Sequence, residues 1–304
     1  MKRRIPVIID ADPGIDDSLA LLLAFSNPKK IEVKLLTSAI GNKPIALCTK
    51  NSLFLVENFA SYKIDVVRGV DEPFDGIKSK QDATDVHGKY GLGNFKAPTP
   101  KIKAKKCNVE DAMYKKLIES KEKIVLVAMG PTINFAKLLK KYPDCKDKIE
   151  CIFIMGASMD GTGNITPYAE FNIYQDPKSF KMILDSGVKT IVSPMHLGRE
   201  TAIPDEAYLN HRRKTFKEQF IYELMKGSFE PSQPGRFALH DPQVIFGLLE
   251  PKLYEFKPCD ITVSLKKSTY GQTFITPNPE GNHLVQLAKN NKKISKKMFK
   301  AFYK

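Results

Sequence analysis

Apolar, β-branched runs alternate with stretches of helical periodicity from the N-terminus onward. Residues 5–9, Ile-Pro-Val-Ile-Ile, read as a strand buried on both faces, and a helix is expected from about Ile15 or Asp16 to Phe25. Residues 31–38 predict the next strand and 44–59 the next helix. Further strands are expected at 64–68, 124–129, 151–155 and 190–193, with helical patterns at 108–120, 132–141 and 177–186 between them. Such alternation predicts an α/β fold: one domain over residues 1–304, its mainly parallel, Rossmann-like open sheet flanked by helices. Two stretches break the rhythm. Residues 71–105 are rich in Gly, Pro and Asp and read as a long surface excursion, and Pro231 to Gly235 lies inside a second. Irregular insertions of this kind often serve as binding loops. Residues 261–265 and 272–275 predict a short hairpin before a last helix.

Composition narrows the class. The chain has 304 residues, 42% hydrophobic and 27% charged, which suits a globular protein rather than a disordered one. Its longest apolar run, Leu19 to Phe25, is far short of the ~20 residues a membrane helix needs. With too few apolar residues before Asp10 for a signal-peptide core, a soluble cytoplasmic protein without membrane partners is expected. Five cysteines without a CxxC pair predict reduced thiols. The net charge of +14 invites a nucleic-acid reading, but 41 of the 48 basic residues are Lys and seven are Arg. Readers of base edges and phosphates rely heavily on Arg, so no nucleic-acid partner is expected. In the tail from Lys289, Ile294, Met298, Ala301 and Phe302 recur at helical spacing, which predicts a docked helix with a solvated Lys face.

The most informative segment is Asp10-Ala11-Asp12-Pro13-Gly14-Ile15-Asp16-Asp17, with four carboxylates where a strand gives way to a helix. Ligands of open α/β sheets bind at the carboxyl ends of the strands, and Pro13-Gly14 supplies a tight turn there. Asp16 or Asp17 could serve as a helix cap, but capping does not use all four. Like charges this close disfavour joint ionisation. A hard divalent cation resolves the conflict, since it prefers carboxylate and carbonyl oxygens. The spacing differs from an EF-hand loop, so the expected site is assembled from distant segments. Asn42, Gly130-Pro131-Thr132, the loop bearing Asn164, Glu170 and Asn172, and His240-Asp241-Pro242 follow or adjoin other predicted elements. Each has an ordinary alternative: Asn42 as a turn former, Asp241 as an N-cap, His240 as a satisfied surface histidine. Together they describe an acidic, amide-rich pocket suited to a polyhydroxylated neutral ligand such as a sugar.

The segment from Asp10 to Asp17 resembles the DxDPGxDD signature of the inosine-uridine-preferring nucleoside hydrolases. Gly41-Asn42, His87-Gly88, Met129-Gly130-Pro131, Gly163-Asn164-Ile165-Thr166-Pro167 with Ala169-Glu170-Phe171-Asn172, and His240-Asp241-Pro242 follow in that family's order and approximate spacing. The resemblance implies calcium-dependent hydrolysis of the N-glycosidic bond of ribonucleosides. Asp12, Asp17, the Met129 carbonyl and Asp241 would hold Ca²⁺. Asp12 would also be the general base, with Asp10 a supporting carboxylate behind it. Asp16, Asn42, Asn164, Glu170 and Asn172 would hold the ribose hydroxyls, and His87 would lie near the base. His240 stands where one branch of the family carries a proton-donating histidine. The purine-specific branch relies on tryptophan stacking, and this chain has no Trp, so a broad or pyrimidine-tolerant preference is implied. A homodimer or homotetramer would fit the family.

Three departures stand out. Met129 replaces a common Thr, residues 195–199 differ from the family's usual segment and leave His196 without a role, and Tyr222 and Phe229 are candidate base contacts. Two other readings compete. A metal-dependent phosphatase would use Asp-x-Asp after a buried strand, but it needs basic phosphate contacts that this Arg-poor chain offers sparingly. A catalytically silent nucleoside- or ribose-binding protein would keep the same pocket without turnover.

Overall fold

In the computed structural model, which describes residues 4–74, 83–93, 95–226 and 234–304, the predicted alternation is realised. The N-terminal half runs β1 (Ile5–Ala11), α1 (Ile15–Phe25), β2 (Ile31–Ser38), α2 (Ile45–Phe59), β3 (Val66–Arg68), α3 (Thr84–His87), α4 (Val109–Glu119), β4 (Ile124–Ala128), α5 (Ile133–Lys141) and β5 (Ile149–Met155). It continues through α6 (Phe171–Gln175), α7 (Pro177–Leu184), β6 (Thr190–Ser193), α8 (Met195–Glu200), β7 (Ile203–Pro204), α9 (Asp205–Leu209), α10 (Phe216–Lys226) and β8 (Arg236–Phe237). The C-terminal part is α11 (Pro242–Leu249), β9 (Tyr254–Val263), β10 (Thr273–Pro277), β11 (His283–Ala288) and α12 (Asn291–Phe302). None of the described helices is long and apolar enough to cross a membrane.

Nine strands form one sheet in the order β10-β9-β11-β6-β5-β4-β1-β2-β3, and β7 pairs with β8 apart from it. From β3 across to β11 every neighbouring pair is parallel. β9 is antiparallel to both β11 and β10. The hairpin expected at 261–265 and 272–275 is therefore part of a longer three-strand extension. β1 lies between β2 and β4. The chain leaves β1 in one direction, through β2 and β3, and returns on its other side as β4. The carboxyl ends of β1 and β4 flank that reversal, where an open sheet leaves a crevice.

At its centre, along β1, β4 and most of β5, the sheet is buried on both faces, as their apolar runs require. Along β1, Val7, Ile9 and Ala11 point into one core with α1, α2, α10, α11 and α12. Ile8 points into the other, with α4, α5 and α7. Helix α1 is buried almost all round, because it packs against α2, α10, α11 and α12 as well as the sheet. That explains a segment with four leucines and no solvent-facing stripe. Each fully buried leucine contributes about 1.5–3 kcal/mol, so the helix that follows the aspartate turn is firmly held. α12 buries Ile294, Met298, Ala301 and Phe302 and leaves its lysines outward. Residues 231–233 and Phe229, and part of the 71–105 excursion, lie outside the described residues.

Candidate active site

The aspartate turn is shaped by its own backbone donors. Asp17 sits in the first turn of α1 and accepts from the Asp12 N–H at 3.1 Å and the Gly14 N–H at 3.0 Å. It therefore closes the strand-to-helix turn as well as belonging to the carboxylate cluster. Asp241 precedes α11 in the N-cap position, yet its side chain makes no capping bond, so its carboxylate is left for the site. One carboxylate oxygen each from Asp16, Asp17 and Asp241 lie within 4.8 Å of one another, and the last two residues are buried. Asp16, expected at the ribose, thus stands among the expected metal ligands.

Asp12 adjoins this group and is fully buried. Its Oδ2 accepts from the Asn42 N–H at 2.6 Å, while its Oδ1 is buried with no hydrogen-bond donor among the described residues. Two glycines wall the carboxylate. A Cβ at Gly41 would fall 2.1 Å from Oδ2, and one at Gly130 would fall 2.5 Å from Oδ1. Neither glycine has room for a side chain, and both adjoin residues expected in the site. Asn42 is buried; its amide donates to the Asp12 carbonyl at 3.2 Å and to Asp17 Oδ2 at 3.0 Å. It ties the carboxylates together and is more than a turn former.

Behind Asp12, Asp10 accepts from Thr37 Oγ1 at 2.5 Å and Asn134 Nδ2 at 2.8 Å through one oxygen, and its other oxygen has no donor among the described residues. Burial pushes its pKa up to about 7, against the lowering effect of those two bonds. Burial likewise raises Asp12, Asp17 and Asp241, and neighbouring carboxylates add to the rise. Among the described residues no Lys or Arg is ion-paired with any member of the cluster. Crowded buried carboxylates and an oxygen without a donor fit a hard divalent cation.

The neighbouring strand ends complete the crevice. The Met129 N–H bonds the Asp10 carbonyl at 2.9 Å, which fixes Met129 beside the cluster. Asn172 Nδ2 donates to the Met129 carbonyl at 2.8 Å and to the Met155 carbonyl at 3.3 Å. Glu170 caps α6: its two oxygens accept from the backbone of Asn172, Ile173 and Ala157 at 3.1–3.2 Å. Burial raises its pKa despite these bonds. Asn164 is exposed on the preceding loop and accepts from the Phe171 N–H at 2.8 Å, so it braces the entry to α6.

Two histidines stand at the other side. His87, buried on α3, accepts the Ile15 N–H through Nδ1 at 3.1 Å. Its pKa is lowered chiefly by burial, against the pull of Asp16. His240 is half-buried and packs on Gly198, where a Cβ would lie 2.4 Å from its Nδ1. It is close enough to influence the titration of both His87 and Glu170. Tyr222 has Arg213 stacked on its ring at 3.9 Å. His196, which sequence left without a role, faces Asp160 at 3.6 Å. Sequence reading passed over Thr37 and Asn134. Their partner Asp10 was visible, but polar residues far along the chain give no local sign of pairing.

The family model for inosine-uridine preferring nucleoside hydrolases matches residues 7–301. Pyrimidine-specific ribonucleoside hydrolase RihA of Escherichia coli (strain SMS-3-5 / SECEC) is 32% identical over 256 residues, 82% of this chain and 81% of its own. Probable uridine nucleosidase 1 of Oryza sativa subsp. japonica is 31% identical over 274 residues, 88% and 84% of the two chains. The solved plant nucleoside hydrolase PpNRh1 superposes with a TM-score of 0.91 at 24% identity, covering 99% of each chain, and so shares the fold. The chain belongs to the inosine-uridine preferring nucleoside hydrolase family.

Proposed function

We propose that this protein is a calcium-dependent ribonucleoside hydrolase with a broad or pyrimidine-tolerant base preference. The observation that carries the calcium reading is the buried Asp12 oxygen without a donor, beside three converging carboxylates. Asp12, Asp17 and Asp241 would hold the cation together with the Met129 carbonyl, and Asp16 adjoins them. Calcium bound there would offset the carboxylates' mutual repulsion and acidify a neighbouring water.

The chain's own groups would carry the remaining steps. Asp12, wedged between Gly41 and Gly130, would take the proton from the attacking water. Asn42, Asn164, Glu170, Asn172 and Asp16 would orient the ribose hydroxyls, and the surrounding carboxylates would favour the positive, oxocarbenium-like ribosyl state. His240 would deliver a proton to the departing base, with His87 beside it. Water attacks directly in this scheme, with no covalent protein intermediate, so the anomeric centre inverts. Support for pyrimidine tolerance comes from the lack of Trp and from the pyrimidine-specific and uridine-directed names of the two sequence relatives.

Ribose release from uridine, cytidine, inosine and guanosine, without phosphate, tests this reading before and after EDTA with calcium add-back. Chelator-sensitive release restored by calcium is expected, with uridine or cytidine among the good substrates. Release that is indifferent to thorough chelation overturns the metal assignment. Release from inosine and guanosine alone overturns the base preference.

A further inference from the structure

Lys43 is 3% exposed, unusual for a residue type that is rarely buried without a partner. It follows Asn42 directly, at the carboxyl side of β2. Its stem runs along Gly91, whose Cβ position lies 3.3 Å from Lys43 Cγ, and its ammonium donates to Thr84 Oγ1, the first residue of α3. The same segment is tied to the acidic end at three more points. The Ala83 N–H bonds the Asn42 carbonyl at 3.2 Å. Asn51 Nδ2 bridges the Pro13 and Tyr90 carbonyls at 3.1 and 3.0 Å. The Ile15 N–H reaches His87 Nδ1 at 3.1 Å.

That last bond fixes the ring's chemistry. A backbone N–H only donates, so Nδ1 must accept, and the neutral imidazole carries its proton on Nε2. We propose that Lys43 is a positioning residue that clamps the α3 segment onto the acidic end of the site, so that His87 offers Nε2–H as a donor to an acceptor on the nucleobase. The substrate class this selects is a nucleoside whose base presents a carbonyl oxygen or unprotonated ring nitrogen to that donor. The inference rests on the nucleosidase reading for its substrate but not for its clamp. Lys43 also adds a positive charge near His87 that disfavours the imidazolium, which keeps the donor-acceptor pattern in its neutral form.

The test uses the full-length calcium-loaded protein with Lys43→Met, Lys43→Arg and Thr84→Val. Three readouts are compared: uridine kinetics, the calcium midpoint of thermal stabilisation, and the ¹⁵N resonances of His87 in histidine-labelled protein. Lys43→Met is expected to lower kcat/KM roughly 10- to 100-fold, as loss of orientation does, with a calcium midpoint within about twofold of the parent. Its His87 resonances should move from the Nε2–H tautomer pattern toward tautomer averaging. Lys43→Arg should recover part of both effects. Thr84→Val should act in the same direction more weakly, and it carries the test if Lys43→Met does not fold. Parent-like kinetics and parent-like His87 resonances in Lys43→Met or Thr84→Val overturn the clamp. A parent protein that releases no ribose overturns the substrate reading alone, and the His87 resonances then still decide the clamp.

Discussion

At the amino ends of β1 and β2, Glu32 lies between Lys34 and Arg4, at 2.8 and 3.6 Å, with all three side chains a quarter or more exposed. A groove of about 340 Å³ opens there, lined by residues of both signs that include Glu119 and Lys121. At the carboxyl ends of β1 and β4 the pattern inverts. Asp10, Asp12, Asp17 and Asp241 are at most 3% exposed, and among the described residues none has a basic ion-pair partner. This groove is thus chemically ordinary, while the crowded end is the one the proposed chemistry would use. Exposed ion pairs cost and contribute little. Buried like charges are unfavourable unless something compensates them, and local hydrogen bonds from Thr37, Asn42 and Asn134 do so only in part. A cluster that persists against its own repulsion is what the proposed cation and sugar site would need.

The sharpest way to break this contrast is Asp12→Asn. It keeps the shape between Gly41 and Gly130 but removes the carboxylate proposed as the base, and a loss of roughly 10²- to 10⁴-fold in kcat is expected. Steady-state ribose release with saturating calcium measures it; a variant that keeps a tenth of the parent rate would show that Asp12 is not the base. Calcium itself should act on stability. At about a hundred times its dissociation constant, a ligand bound only to the folded state contributes about 2.7 kcal/mol, so chelation should lower the thermal midpoint by several degrees. An equal midpoint with and without EDTA contradicts a cation site at the crowded end.

The two ends were not equally legible in the sequence. Strands β1, β4, β5 and β6 are apolar over most of their length, β2 alternates apolar and charged residues before Leu35 and Leu36, and the aspartate turn is a local pattern of Pro, Gly and Asp, so each is written in adjacent residues. Strand β9 escaped beyond its last residues because Lys257, Pro258 and Asp260 interrupt its apolar pattern along a largely exposed stretch. Strand β11 was missed because six residues with His and Gln offer no strong alternation. Within the site, Asp10, Asp12, Asp16 and Asp17 could be picked out by charge and spacing, and Asp241 by the resemblance. What holds them could not: Asn134 meets Asp10 across 124 positions of sequence, and Lys43 looks like any surface lysine until α3 covers it. The resemblance pointed to the groups expected to do the chemistry, whereas the groups that hold them are set by packing between distant segments.

Relieving the crowding should trade function for stability. Asp241→Asn removes one charge from the cluster without changing its shape, and the calcium-free protein should become more stable by about 1 kcal/mol, as active-site replacements often are. Calcium should then stabilise it less than it stabilises the parent. Chemical unfolding with and without calcium checks both statements, and a calcium-free variant weaker than the parent would mean that Asp241 supports the fold more than it repels its neighbours.

The smallest effect belongs to the other end. Glu32→Gln leaves Arg4 and Lys34 without their shared carboxylate, but both are partly in water and can be solvated where they stand. Exposed pairs of this kind contribute up to about 1 kcal/mol, and salt weakens them. The variant should therefore unfold within about 1 kcal/mol of the parent, with a difference that shrinks at high ionic strength and with unchanged kcat/KM for uridine. A larger, salt-insensitive loss would show that this pair is effectively buried and that the sheet stores electrostatic energy at both ends. A change in kcat/KM would be more damaging still, since it would require coupling along the length of β1 and β2, through the cores packed on both of their faces.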